Sequence, residues 1–352
     1  MVFEVKSNKI SESPTVSIII PAYNVEKYIS KAINSVFKEL TRSSIDLELI
    51  IVNDGSKDKT DEKILEVLKG NKINWTLISQ SNNGVSAARN IGIQYARGRY
   101  IRFLDGDDEF VSGSTQRLLS FAEHYKADFV FGKFVMKTAK GKTIMTSDDL
   151  SKLTKGLKSK KDIIIDFLKY KPFIHLGNIL FCKETLAKHN IRFTKGVKIS
   201  EDFEFIAKLM YSSNRIVFLD EYVYQWLYRK TSTTKTKSLT MFHHVGVMKR
   251  LIKYFFSKGE REIAEKIQNE ALALAYGQVI GILAYNRLDY RVWRMLANNK
   301  EIKKYVSKIK LDRERSRFHS KMHIAKNVYH LSPALLYVIM RMARKYHDVW
   351  AR

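Results

Sequence analysis

The sequence predicts an α/β fold with a mostly parallel sheet, followed by an all-helical C-terminal domain. Three times within the first hundred residues, an apolar run typical of a buried strand ends in a polar loop, and a segment with helical spacing follows. After residue 232 the pattern stays helical and contains almost no β signal. We therefore expect two domains, residues 1–232 and residues 233–352.

The first two repeats begin with an apolar run, as expected for a central strand buried on both faces, and the third begins with a further predicted strand. The predicted strands are Val16–Ile20, Leu47–Val52 and Trp75–Ser79. The polar loops after them are Pro21-Ala22-Tyr23-Asn24, Asn53-Asp54-Gly55-Ser56 and Asn82-Asn83-Gly84, and helices are predicted over residues 25–40, 58–68 and 85–96. All three loops fall at the carboxyl edge of the predicted sheet, where α/β folds bind their ligands.

A fourth predicted strand, Tyr100–Leu104, leads into an acidic turn formed by Asp105, Gly106, Asp107 and Asp108. Carboxylates this close repel one another unless a cation lies between them. Magnesium and manganese prefer oxygen ligands, and phosphate oxygens complete their coordination. The pattern therefore indicates a site for a metal ion and a phosphate group. The alternative is an acidic surface turn, a common use of aspartate.

Four segments, taken together, resemble the family 2 inverting glycosyltransferases, whose nucleotide-sugar transferase domain has the Rossmann-like GT-A fold. They are VSIIIPAYNVEKYISKAINSV, ELIIVNDGSKDKT, NNGVSAARNIGIQYARGRYIRFLDGDD and ISEDFEFIAKLM. The match runs from about Val16 to Ser232, and one block alone would be weak evidence. Members of the bacterial type build capsule, exopolysaccharide or teichoic-acid polymers, so the resemblance implies a hexose or N-acetylhexosamine transferred from a UDP-sugar.

The resemblance also implies which residues bind the uridine nucleotide. They are Pro21, Ala22, Tyr23, Asn24, Asp54, Asn83, Gly84, Arg89, Asp105, Arg229 and Ser232. For Asp54 the alternative is a plain turn residue, and for Arg89 it is a surface arginine paired with a carboxylate. The segment around Arg229 and Ser232 lacks the Gln-Xaa-Xaa-Arg-Trp signature of processive synthases, which favours a transferase that adds one sugar.

For the chemical step, the resemblance assigns Asp107, with Asp105 beside it, to a manganese or magnesium ion, and Asp202 to the role of general base. Glu201 is expected to raise the proton affinity of Asp202 by like-charge repulsion. The alternative is an acidic pair that only stabilises a helix N-terminus. Residues implied to border the sugar and the acceptor are Asn178, His175 and Arg192. His175 has no second histidine at ligand spacing, so it is not expected to bind metal.

Composition favours a protein of the cytoplasm. Of 352 residues 45% are hydrophobic, and the single cysteine, Cys182, excludes an intrachain disulfide. The first fourteen residues are polar and charged, unlike a secretory signal. The longest apolar stretch, Ala271–Tyr285, is shorter than the roughly 20 residues that span a bilayer, so we expect a buried helix there.

The C-terminal third is strongly basic, with 25 Lys and Arg against 9 Asp and Glu after residue 232, a net +16 of the chain's total of +26. Its last helix should begin at Ser332-Pro333. One face would then carry Leu335, Leu336, Ile339, Met342, Ala343, Tyr346, Val349 and Trp350. Such a helix is suited to an anionic inner leaflet, which makes the chain a candidate peripheral membrane protein. Equally, the face could pack within the helical domain or against another subunit.

Other classes fit less well. A basic nucleic-acid- or polyanion-binding protein without catalysis would explain the charge, but no finger, helix-turn-helix or RNP-like motif is present, and the aspartates would have no task. A nucleotidyltransferase would need a glycine-rich, arginine-bearing first loop in place of Pro21–Asn24. The expected partners are therefore a UDP-sugar and a saccharide, lipid-linked or polyanionic acceptor. The sequence leaves open whether copies of the chain also assemble through the C-terminal helices.

Overall fold

The computed structural model describes residues 2–8, 13–40, 45–71, 73–148, 159–168, 174–229, 239–286, 288–309 and 317–346. The chain forms two compact units. The first comprises Met1–Ile164 and Pro172–Arg229, and the second comprises Ile165–Lys171 and Lys230–Arg352. The change of unit at residue 230 lies close to the expected boundary at 232, whereas the assignment of residues 165–171 to the second unit was not predicted.

One mixed sheet of ten strands organises the first unit. Its strands are β1 Val2–Asn8, β2 Val16–Ala22, β3 Leu47–Asn53, β4 Asn74–Gln80, β5 Tyr100–Phe103, β6 Glu109–Phe110, β7 Phe129–Thr138, β8 Thr143–Thr146, β9 Ile179–Cys182 and β10 Ile216–Tyr228. The spatial order is β1-β4-β3-β2-β5-β9-β7-β10-β6, with β8 paired to β7. β4, β3, β2 and β5 run parallel, as do β7 and β10, and the remaining pairs are antiparallel.

The helices of the chain are α1 Ile29–Leu40, α2 Thr60–Leu68, α3 Val85–Tyr95, α4 Ser114–His124, α5 Lys160–Leu168, α6 Lys183–His189, α7 Glu201–Ser212, α8 Phe242–Ser257, α9 Arg261–Lys266, α10 Leu272–Tyr285, α11 Tyr290–Ala297, α12 Lys300–Ser307, α13 Arg317–Leu331 and α14 Pro333–Tyr346. In the first unit, α1, α2 and α4 share one apolar core with the sheet. On the opposite face, Gly92 of α3 lies against Ile19, and Phe205 of α7 packs edge-on against Phe103. The sheet is therefore covered on both faces, as its continuous apolar strands require.

The described part of the second unit is helical, as the sequence predicts. A π-helical segment, Ile267–Ala271, joins α9 to α10. The apolar stretch predicted to form a buried helix is α10, and its side chains pack in the interior of this unit. Among the described residues, no helix is both long enough and apolar enough to cross a membrane.

The three repeats and the strand before the aspartate turn are confirmed to within a few residues. β1 was not predicted, because Val2–Asn8 mixes charged and apolar residues at the edge of the sheet. Within the acidic turn, the surroundings of Gly106 explain why a glycine is present. A Cβ atom at Gly106 would lie 3.3 Å from the Pro21 carbonyl oxygen and 3.2 Å from Val25, so a small residue is needed where two loops meet.

Candidate active site

The loops after β2 and β3 are tied together at the carboxyl edge of the sheet. The Asn24 backbone N–H donates to Ser56 Oγ at 3.0 Å, and Asn24 Oδ1 accepts from the Lys57 N–H at 2.8 Å. Asn24 can do this because it adopts a left-handed conformation, which asparagine tolerates better than most residues. Tyr23 is left 46% exposed at the end of β2, above the buried Pro21 and Ala22.

Asp54 is buried after β3 and holds the next loop in place. Its carboxylate accepts hydrogen bonds from Gln80 Nε2 at 2.5 Å, from the Asn83 N–H at 2.9 Å and from the Gly84 N–H at 2.8 Å. Gly84 has a φ of 86°, a conformation that favours glycine, and it lies directly before α3. Asp54 therefore shapes the loop that carries Asn83 and Gly84, a role that the sequence analysis did not assign to it.

The aspartate turn directs its three carboxylates to three different partners. Asp105 forms an ion pair with Arg89 at 2.8 Å, and Asp107 forms one with Arg229. Asp108 is buried and accepts from the Tyr224 hydroxyl and, at 2.7 Å, from the Leu227 N–H, both on β10. Asp108 does not cap the following helix, because α4 begins at Ser114, after Gly113. The turn is instead joined to β10.

Arg89 joins this turn to the acidic pair at the start of α7. It was expected to face a pyrophosphate, but it lies buried, and its Nη1 donates to Glu201 at 2.8 Å while its Nη2 donates to Asp105. The guanidinium also lies over the Phe193 ring, 5.4 Å from the centroid. Its Nε is buried and has no hydrogen-bond partner among the described residues. One cation thus holds two acidic segments in register.

Asp202 has a different environment from Glu201, although the two are neighbours. It is half-buried in the first turn of α7, where its Oδ1 accepts from the Phe203 N–H at 2.8 Å, and it has no ion-pair partner among the described residues. Burial raises the pKa of Asp202, with a smaller contribution from Asp105, against the lowering effect of Arg89. The pKa of Asp202 is raised, as expected. The cause is burial and not Glu201, because the Glu201 carboxylate forms an ion pair with Arg89.

The turn itself carries unbalanced negative charge. Burial would raise the pKa of Asp105, but the Arg89 charge outweighs it and lowers that pKa. Burial, reinforced by the Asp105 charge, raises the pKa of Asp107 to about 6 despite the opposing effect of Arg229. An added cation would favour the ionised form of both carboxylates, because it offsets the repulsion between them.

An aromatic wall lies beside these carboxylates. The ring of His175 stacks between Tyr224 and Trp226, at centroid distances of 5.3 and 5.2 Å. Burial lowers the pKa of His175, so its imidazole is neutral near pH 7. Gly177 is required here because a Cβ at that position would lie 2.1 Å from the Tyr224 ring.

Two of the residues expected near the sugar have other contacts. Asn178 is fully buried, where its Oδ1 accepts from the His175 N–H at 2.9 Å and its Nδ2 donates to the Gly132 carbonyl at 2.6 Å. Both ends of the amide therefore have partners inside the protein, and the expected contact of Asn178 with the sugar stays a prediction. Arg192 is exposed and donates to the neighbouring Ile191 carbonyl at 2.9 Å. Ser232 lies outside the described residues.

Residues 17–188, about half of the chain, match the family model described as Glycosyl transferase family 2. The chain is 31% identical over 234 residues to the uncharacterized glycosyltransferase EpsJ of Bacillus subtilis (strain 168), covering 64% of this chain and 63% of EpsJ. The chain belongs to glycosyl transferase family 2. It is also 29% identical over 218 residues to the minor teichoic acid biosynthesis protein GgaB of the same organism, covering 62% of this chain and 23% of GgaB. The alignments therefore span less than two thirds of either relative.

A solved structure supports the same fold over nearly the whole chain. TarS 1–349 of Staphylococcus aureus, in complex with UDP-GlcNAc, has a TM-score of 0.64 at 20% sequence identity, covering 94% of this chain and 90% of that chain. At this identity the likeness concerns the fold. It extends beyond the family 2 match into the helical region, so the predicted fold class, GT-A followed by helices, is confirmed.

A divalent cation fits the aspartate turn of this family 2 domain by the chemistry of its donors. Asp107 and Asp105 supply hard oxygen ligands, and a cation would oppose the burial and the Asp105 charge that raise the pKa of Asp107. Asp108 is not available, because both of its oxygens are used by β10. Within the described residues, no group of three or more His, Cys, Asp or Glu side chains is placed to hold a metal alone, so substrate oxygens would have to complete the coordination.

Several residues of this family 2 site were missed from the sequence. Gln80 orders Asp54, Tyr224 holds Asp108, and Tyr28 lies under the Arg229 guanidinium at 5.3 Å. None belongs to a recognisable motif, although the density of aromatic residues between Tyr222 and Tyr228 could have been noted as a signal. These residues support the motif side chains from positions that only the folded chain brings near.

Proposed function

We propose that the chain is an inverting glycosyltransferase that moves a hexose or N-acetylhexosamine from a UDP-sugar to a hydroxyl group of a saccharide or lipid-linked acceptor in cell-surface polysaccharide synthesis. The supporting observation is the arrangement of Asp202. Its pKa is raised, it has no ion-pair partner among the described residues, and it follows Glu201, which Arg89 connects to the aspartate turn. The ion pairs of Arg89 thus connect the segment that carries the proposed base to the aspartate turn. The polar donor suggests a cytoplasmic reaction.

The donor pocket is assigned to the loops after β2, β3 and β4. Tyr23 offers an exposed aromatic face for a base, and the loop ordered by Asp54 presents Asn83 and Gly84. The TarS complex, a structural neighbour of the same fold, contains UDP-GlcNAc, which supports a uridine donor. The similarity to GgaB supports an acceptor of the cell-surface polymer type.

In the proposed step, the acceptor oxygen attacks the anomeric carbon from the face opposite the diphosphate, and the configuration inverts. A bond forms between the acceptor oxygen and the anomeric carbon as the bond from the anomeric carbon to the diphosphate oxygen breaks. The electron pair of the broken bond leaves with UDP. Asp202 takes the proton of the acceptor hydroxyl, so that the hydroxyl oxygen becomes the glycosidic oxygen and the proton remains on the protein. Its raised pKa suits a group that must accept a proton near neutral pH.

Asp107 and Asp105 would hold a manganese or magnesium ion, which when bound neutralises charge that builds on the departing diphosphate. Arg229 forms an ion pair with Asp107 beside the proposed metal site, and we assign it to the diphosphate side of the pocket. Arg89 acts as a positioning residue, since both of its terminal nitrogens are committed to carboxylates.

The test is calorimetric UDP binding followed by hydrolysis and transfer assays with a panel of UDP-sugars. We expect Asp202→Asn to reduce transfer at least about a thousandfold while leaving UDP affinity nearly unchanged, since the amide keeps the shape but cannot take a proton. Glu62→Gln, an exposed carboxylate on α2, is the matched control. Normal turnover by Asp202→Asn would remove Asp202 as the base, and absence of binding by any uridine nucleotide would remove the donor assignment.

A further inference from the structure

The last helix of the chain exposes a continuous row of large apolar side chains. On α14, Leu335, Val338, Ile339 and Met342 are 41%, 46%, 41% and 60% exposed. Their spacing of three, four and seven residues places them on one face of a helix. Leu331, at the end of α13, is 79% exposed and continues the same spacing. We call the four α14 residues the α14 stripe. An exposed apolar row of this length on a soluble protein usually marks an interaction surface.

The stripe is not the face that holds α14 in place. Leu336, Tyr337 and Met340 are buried, and the Tyr337 hydroxyl donates to the Leu288 carbonyl at 2.6 Å. The Tyr337 ring also packs 5.1 Å from Trp293, a fully buried side chain of α11. Leu336 was predicted to lie on the same face as Leu335, Ile339 and Met342, but in the structure it is buried. Because a separate face anchors the helix, the stripe is free to meet something else.

The charge around the stripe restricts its partner. Residues 317–346, which form α13 and α14, contain six lysines and arginines and no aspartate or glutamate. A second copy of this chain would bring the same positive charge toward it, which disfavours self-association through this face. An anionic lipid surface supplies both acyl chains for the apolar row and negative headgroups for the basic residues.

We propose that the α14 stripe docks this protein on an anionic lipid bilayer, with α14 lying in the plane of the interface. The described part of the helix has 14 residues, fewer than the roughly 20 that cross a bilayer, and it has one buried and one exposed apolar face, which fits a position in the plane of the interface. This inference goes beyond the proposed transferase function and does not depend on it. It does place a lipid-linked acceptor and the enzyme on the same surface.

The experiment is co-sedimentation of the full chain with vesicles of phosphatidylglycerol and phosphatidylcholine, compared with vesicles of phosphatidylcholine alone. We expect binding to the anionic vesicles, weakened by salt, and a loss of at least about tenfold in Leu335→Ser combined with Ile339→Ser. Phe256→Ser is the matched control, since Phe256 is a 44% exposed large apolar side chain on a different helix, α8. Met342→Ser, at the most exposed stripe position, guards against misfolding of the double variant.

Three results of the vesicle experiment would overturn the proposal. They are absence of binding to the anionic vesicles, equal binding to both vesicle types, and unchanged binding in folded stripe variants. A fourth would come from sedimentation of the lipid-free protein. If the protein did not bind vesicles but formed a dimer that the stripe variants dissociate, the stripe would be a contact between copies. Hydrolysis of UDP-sugars is measured separately on the same samples, so failure of the transferase proposal would leave the vesicle result standing.

Discussion

Arg89 is the residue on which the geometry of the candidate site depends. It lies buried between Asp105 and Glu201, which are 16 and 112 positions away from it along the chain. The two carboxylates would repel across a dry interior if this cation were absent. Of the neighbouring carboxylates Glu201 and Asp202, Arg89 binds only Glu201. Glu201 therefore has a structural role, and Asp202 remains the candidate base.

We expect Arg89→Met to destabilise the first unit by about 3–5 kcal/mol, because it leaves two partly or fully buried carboxylates without a counter-charge. Urea unfolding measures this change. The double variant Arg89→Met with Glu201→Gln should recover part of the loss, since one of the two orphaned charges is removed. Equal destabilisation in the single and double variants would show that the ion pair with Glu201 contributes little.

The pH dependence of transfer offers a test of Asp202 itself. Burial raises the pKa of this carboxyl group in the folded enzyme, and a general base works only when ionised. As pH falls through that pKa, kcat/KM should therefore fall with a slope of about one proton, at a pH above the usual aspartate range. Asp202→Glu should shift the pH at which kcat/KM falls. A profile that is unchanged in this variant would indicate that another group titrates.

At the level of elements, the sequence predicts the half of the sheet in which each strand is buried on both faces. β2 and β3 are mostly apolar and buried along their whole length, so the pattern and the fold agree there, whereas β4 has fewer apolar residues and is partly exposed. β7 and β10 were missed because their ends are half-exposed and mix polar with aromatic residues. The site was predicted wherever a motif lies directly after a strand. It was missed where β10 supplies Tyr224, since contact with Asp108 depends on pairing across the sheet.

Helix α8 contains a titratable group that should make the second unit sensitive to acid. His244 is buried, and burial lowers its pKa from 6.5 to about 4. Between these values the unfolded chain binds a proton that the folded chain does not, so stability is lost as pH falls below about 6.5. The loss should reach about 2 kcal/mol at about pH 5.

This prediction is measured by urea unfolding at about pH 8 and about pH 5. Other groups titrate in the same range, so the informative quantity is the difference between the wild type and His244→Gln, in which the titrating imidazole is absent. The pH-dependent loss should be smaller in the variant by the amount expected for His244. The same pH-dependent loss in both proteins would mean that His244 is not the source.

At the scale of the whole molecule, the net charge of +26 is distributed unevenly along the chain. The segment after residue 232 contributes +16 of it in about a third of the length. Charge of this size produces a positive field over distances longer than a hydrogen bond, and it raises the local concentration of anions. Together with the proposed role in cell-surface polymer synthesis, this favours an acceptor that is itself a polyanion, such as a phosphate-linked polymer.

Salt should therefore change acceptor use selectively. For a phosphate-linked polymeric acceptor, KM should rise at least about tenfold between about 0.05 M and 0.5 M salt, because the screening length falls below the spacing between surface charges. A neutral oligosaccharide bearing the same terminal sugar is the control, and its KM should change little, as should the KM for the UDP-sugar, whose contacts are short and partly buried. If both acceptors responded equally, the basic segment would be acting on the donor site or on stability. If the KM of neither acceptor responded to salt, the charge of the basic segment would act at the bilayer surface and not on the acceptor.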